Sequence, residues 1–132
     1  MKKHLLMLAL ASGLLVATQA NAMTREEHKA AQDRIEADYK AAKAQCDALK
    51  DNAKDVCEKD AKGKENVAKA ELEHSYKPSP SAARKVAEEK VKAQYEVAKE
   101  KCDDMKGDTK NACEKEAKAA EARGKAEVRA MK

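Results

Sequence analysis

The sequence predicts an all-α fold of two tandem antiparallel helical hairpins. Three observations carry that prediction: apolar residues recur at helical spacing, the chain repeats itself after 56 residues, and prolines separate the two copies. Shifting the chain by 56 aligns Tyr39 with Tyr95, Cys46 with Cys102 and Cys57 with Cys113. Between 39–63 and 95–119, twelve of 25 positions are identical. Tyrosine, cysteine and aspartate are among the matches, which shared Ala and Lys content would not supply, so the unit is duplicated.

The chain opens with the basic Met1-Lys2-Lys3-His4, an apolar run from Leu5 to Ala17, and Ala20-Asn21-Ala22. The run is too short for a stable bilayer span, and the small-x-small triplet is a cleavage pattern. We therefore expect residues 1–22 to be a cleavable signal peptide cut after Ala22, leaving no stable membrane anchor. No cysteine stands at that junction, which disfavours a lipid anchor.

The first hairpin is expected over 23–76. Thr24 with Glu27 forms a capping box, and Ile35, Tyr39, Ala42, Cys46 and Leu49 follow at spacings of four and three. Its second helix carries Cys57, Ala61, Ala68 and Leu72, with Lys64 and Ser75 at two seam positions, and should pack less tightly. A Pro-containing linker follows at 77–80, where Pro78 and Pro80 interrupt helix and Ser79 reads as an N-cap before a first-turn proline.

The second hairpin is expected over 81–132. Val91, Tyr95, Ala98, Cys102 and Met105 repeat the first stripe, and Cys113, Ala117, Ala120, Gly124, Val128 and Met131 form its partner. Pairs such as Glu58/Lys62, Glu65/Lys69 and Glu121/Lys125 stand four apart in the favourable order, each contributing a few tenths of a kcal/mol. In so Ala-rich a chain they reinforce helix.

The cysteines decide where each helix must turn. Eleven positions along one continuous helix would separate Cys46 from Cys57 by about 16 Å, beyond the ~7 Å Cα limit of a disulfide. Gly107-Asp108 reads as a helix stop followed by an N-cap, and Asp51-Asn52 holds the matching place. Folding there brings Cys46 to Cys57 and Cys102 to Cys113. Four cysteines allow three connectivities; local pairing is preferred because each repeat is then self-sufficient. Thiol redox chemistry is the sharper alternative, but Cys-x-x-Cys is missing, and zinc would need further ligands at suitable spacing.

Composition excludes several functions. Without Lys2 and Lys3 the formal charge of +4 falls by two, and no polybasic patch remains. With no Phe, no Trp and three Tyr there are few platforms for stacking bases, so nucleic-acid binding is disfavoured. After Ala22 the bulky apolar residues are sparse, and a chain burying so little area benefits most from covalent staples. His28 and His74 fall opposite Arg84 and Ala130, so the repeat does not reproduce them, which weakens a metal reading. Tyr39 and Tyr95 recur on the core stripe, where they fill the seam; a ligand pocket between helices is the alternative. Carboxylates lie among lysines at solvated spacing, and Ser75, Ser79 and Ser81 lack any base pattern around them. The chain is therefore expected not to be an enzyme and to need no cofactor, with no catalytic or metal residues and the ligand-binding residues left unknown.

The segments AKAQCDALKDNAKDVCEKDAK and AKEKCDDMKGDTKNACEKEAK resemble a group of small exported proteobacterial proteins rich in Ala, Lys and Glu, with duplicated C-x10-C hairpins. The resemblance implies export and helical hairpins. In composition the chain is also similar to the helical stalk of the cell-envelope protein TolA, from which its leader and disulfide-spaced cysteines depart. The expected role is a non-enzymatic periplasmic or secreted protein, structural or binding an envelope protein partner, active in envelope stress. The alternative is a holdase-type chaperone or small-ligand binder, with a thiol-redox protein behind it. Two arrangements remain open: a loose four-helix bundle, or two hairpins hinged at 77–80. The thin Ala seams favour modest, mobile docking.

Overall fold

The computed structural model describes residues 22–132, so the expected leader lies, apart from Ala22, outside the described residues. Four helices follow in order: α1 (Arg25–Cys46), α2 (Asp51–Tyr76), α3 (Pro80–Cys102) and α4 (Gly107–Ala130). Both predicted starts are built as read. Thr24 Oγ1 accepts from Glu27 N–H at 3.1 Å while Glu27 Oε2 accepts from Thr24 N–H at 2.8 Å. Ser79 Oγ accepts from Ala82 N–H at 2.9 Å, with Pro80 in the first turn.

The turns differ from the reading. α1 and α3 end at Cys46 and Cys102, so Leu49 and Met105 leave the stripes and stand exposed in the connections. Asp51 (φ 53°) and Gly107 (φ 59°) open α2 and α4 instead of stopping the helices before them. The N-caps are Lys50 and Lys106, neither with a side-chain cap, and Asp108 is not one. A left-handed residue there reverses the chain sharply enough to bring Cys46 within 5.5 Å of Cys57 and Cys102 within 5.7 Å of Cys113, Cα to Cα. A Cβ at Gly107 would meet nothing within 4 Å, so Gly107→Ala isolates the backbone cost. We expect a loss of about 1–2 kcal/mol in urea melts, and a smaller change of opposite sign for Asp51→Gly.

Among the described residues, contacts between elements run only between successive helices: α1 on α2, α2 on α3, α3 on α4. The hairpins therefore dock through their inner helices, and α1 and α4 do not meet, which leaves an open four-helix array. The expected four-helix arrangement forms, and α2 against α3 is the most extensive of the three interfaces, more than the thin Ala seams suggest. Two causes are visible. The connection between them is only Lys77-Pro78-Ser79, and so short a link forces antiparallel neighbours. They approach closely at Gly63, where a Cβ would lie 2.7 Å from that of Ala93.

Polar contacts then clamp the inner pair along its length. Asn52 donates to the Glu100 carbonyl at 2.8 Å, Lys59 meets Glu96 at 3.7 Å, and Lys90 meets Glu71 at 2.7 Å. Within the first hairpin, Lys64 is exposed and pairs with Asp60, and the buried seam position is its neighbour Glu65. The second helix is thus not the loose one: packed on both sides, α2 buries Ala61, Gly63, Glu65, Ala70 and Leu72.

Candidate partner-binding groove

Each hairpin is held at both ends. Near the turn, all four cysteines are in the bridges Cys46–Cys57 and Cys102–Cys113, with Cys46 and Cys102 fully buried. Beside each bridge a lysine reaches back across the turn: Lys54 to Asp47 at 3.1 Å and Lys110 to Asp103 at 3.0 Å. Those hydrogen bonds hold both ammonium groups above the usual lysine pKa. At the open end, His28 Nε2 lies 2.7 Å from Glu73 Oε1 and its ring packs on Tyr76, centroids 4.3 Å apart. Arg84, 56 residues later, donates to the Met131 carbonyl at 2.9 Å. Identity changes between the copies while the lashing role persists, and comparing residue types alone missed this.

Glu65 is buried, which its Glu/Lys spacing does not reveal. Burial by itself would raise its carboxyl pKa, but ammonium hydrogen bonds from Lys62 and Lys69, both 2.7 Å, reverse that and hold it below the usual glutamate range. Lys62 also covers the Tyr39 ring at 5.1 Å from its centroid. Because the folded pKa is depressed, the charged pairings stabilise the fold above the unfolded glutamate range and are lost as pH falls through the folded value. We expect Glu65→Gln to flatten the acid limb of a stability-versus-pH curve. An unchanged acid limb would assign it to other carboxylates.

Tyr39 and Tyr95 are half-buried in equivalent seams, but the spaces beside them differ. The α1/α2 space with Tyr39, Ile35 and Glu65 is about 250 Å³, and the α3/α4 space with Tyr95, Val91 and Glu121 is about 490 Å³. Val91 and Val128 stand where the first copy has Ile35 and Leu72, and smaller side chains fill less.

A broader feature lies between the hairpins. On one face of the array α2 and α3 bound an open groove of about 580 Å³. Its apolar lining comes from Gly63, Val67 and Ala68 of α2 and Ala93, Val97 and Ala98 of α3. Charges of both signs complete it: Asp60, Lys64 and Glu71 on one side, Lys90 and Lys101 on the other. Close approach at Gly63 and Ala93 makes the groove, since small residues let the helices meet and leave the valines standing beside the contact.

Among the described residues, no group of three His, Cys, Asp or Glu side chains could hold a metal ion, and none of the cysteines is free. No described helix is long and apolar enough to cross a membrane. Comparison with family models, curated proteins and solved structures finds no match to this chain.

Proposed function

We propose that this chain is a non-enzymatic, exported helical protein of the periplasm or extracellular space that binds a helical segment of a partner protein in the α2/α3 groove. The observation that carries the reading is the groove itself: an apolar trough between two antiparallel helices, left open by a single layer of helices. Asp60 to Glu71 spans three turns, about 16 Å of helix, a length that suits a short amphipathic helix laid into a groove. Asp60 pairs with Lys64 and Glu71 with Lys90 within the chain, so Lys101 at one end of the groove favours a partner with an acidic residue beside its apolar stripe. Export is supported by the leader pattern, by the resemblance to small exported proteins and by two disulfides, which persist in oxidising compartments. A structural or envelope-stress role fits a scaffold of this kind.

The test compares wild type with Val67→Glu/Val97→Glu as bait on envelope extract, with helical content matched by circular dichroism. A partner enriched by wild type and reduced about tenfold by the variant, which corresponds to 1.4 kcal/mol, is the expected outcome. Identical capture by both proteins rejects the groove. The apolar lining also favours the holdase or small-ligand reading, which predicts suppression of client aggregation or a ligand-induced rise in Tm, each lost in the same variant. Thiol exchange is the weakest reading, because the buried sulfurs of Cys46 and Cys102 leave only half-exposed Cys57 and Cys113 open to attack.

A further inference from the structure

The repeat extends to contacts. Lys54–Asp47 and Lys110–Asp103 are 56 residues apart, and the disulfides match within 0.2 Å in Cα separation (5.5 and 5.7 Å). The step carrying the first hairpin onto the second therefore has a next position. Taken once more, it would seat α1 of a second copy on α4, as α3 sits on α2. Among the described residues nothing covers either outer face, and each carries exposed alanines: Ala30, Ala37 and Ala44 on α1, Ala112, Ala119 and Ala126 on α4.

The inner interface states what such a contact requires, and most of it is reversed at the outer faces. Lys59 meets Glu96 inside; the outer counterparts are Lys115 and Lys40, two like charges. Asn52 donates to the Glu100 carbonyl; its counterpart Asp108 would present a carboxylate to the Ala44 carbonyl. Gly63 fits against Ala93, whereas Ala119 would face Ala37 with the 2.7 Å Cβ contact that Gly63 avoids, pushing the helices about 1 Å apart. Only Lys90–Glu71 keeps its complement, as Arg34 and Glu127.

We infer that α4 of one copy and α1 of the next form a latent head-to-tail interface, kept open by Lys40 against Lys115, by Asp108 and by Ala119. The occupant that the repeat geometry would seat there is a second copy of this chain, and these side chains stand against it. Because the contact is heterologous, releasing the block would build a head-to-tail series, open or closed into a ring, and not a two-fold dimer. The inference is independent of the groove, which lies between α2 and α3.

Sedimentation velocity from micromolar to near-millimolar protein tests it, on the mature chain with both disulfides closed. Wild type is expected to remain a single monomeric species. The variant K40E/D108N/A119G is expected to self-associate at least about tenfold more tightly, giving a ladder of species that extends past the dimer. Adding K115E restores a like-charge pair and should return the ladder toward monomer. K40E/D108N, which leaves the helix backbone untouched, serves if Ala119→Gly unfolds α4. A folded variant that stays monomeric overturns the inference, as does association that stops at a dimer or wild type that already assembles.

Discussion

Replacing Cys102 and Cys113 together with serine is expected to lower Tm by roughly 12–15 °C, corresponding to a loss of about 3 kcal/mol for a loop of this length. The bridge closes a small loop between helices that bury little else. In the described residues, the buried apolar side chains are Cys46, Ala61, Ala70, Leu72, Cys102, Ala117 and Val128. Two are themselves disulfide sulfurs and three are alanines, so no large apolar cluster offsets a lost staple. The matching Cys46/Cys57 double variant should lose less. Its seam keeps Ile35 and Leu72, the ion pairs of buried Glu65 and a smaller unfilled space, where the second copy has Val91 and Val128 beside a space about twice as large. Calorimetry of the two variants checks both size and order. Equal losses would mean that seam packing contributes little beyond the bridge. Non-reducing peptide mapping of the native protein checks the connectivity on which the prediction stands.

Gly63→Val should separate the two hairpins while leaving each one folded. A Cβ at position 63 would lie 2.7 Å from the Ala93 Cβ and 3.3 Å from its Cα, and both neighbours are rigid. No rotamer change relieves such a contact, so α2 and α3 must move apart. Overpacking of this kind costs about 1–3 kcal/mol. Moving the helices apart would also loosen Asn52 to Glu100, Lys59 to Glu96 and Lys90 to Glu71. We expect near-native helicity by circular dichroism, a larger radius of gyration by small-angle X-ray scattering, and a broadened unfolding transition. An unchanged radius of gyration would show that the array absorbs the side chain without undocking. Gly63→Ala is a milder version in which helix propensity, worth about 1 kcal/mol, opposes the same contact. Its contrast with Gly107→Ala separates a packing glycine from a left-handed one, since Gly107 has open space around its Cα.

The site was less legible than the frame around it. Val67 and Val97 stand out in the sequence as bulky apolar residues, but nothing in their spacing says that they share a groove. Glu65 reads as one more member of a solvated Glu/Lys pair, and only α1 lying over it makes it buried. His28 and Arg84 look unrelated as residue types, yet both lash the open end of a hairpin. The useful signal was position 28 recurring at 84, weighed by location and not by identity.

Sequence by itself determined the four helices and their grouping into two hairpins, and made local pairing the preferred one of three cysteine connectivities. Those features follow from one-dimensional quantities: apolar period, proline placement, and a cysteine gap too long for one straight helix and right for a folded one. Tertiary structure alone decided which face of α2 meets α3, how closely, and what remains open. The reason is the alanine content. Small residues lie on several sides of every helix, so periodicity cannot rank one face above another, and the choice falls to local close approach and cross-helix polar pairs that form only once the hairpins are side by side.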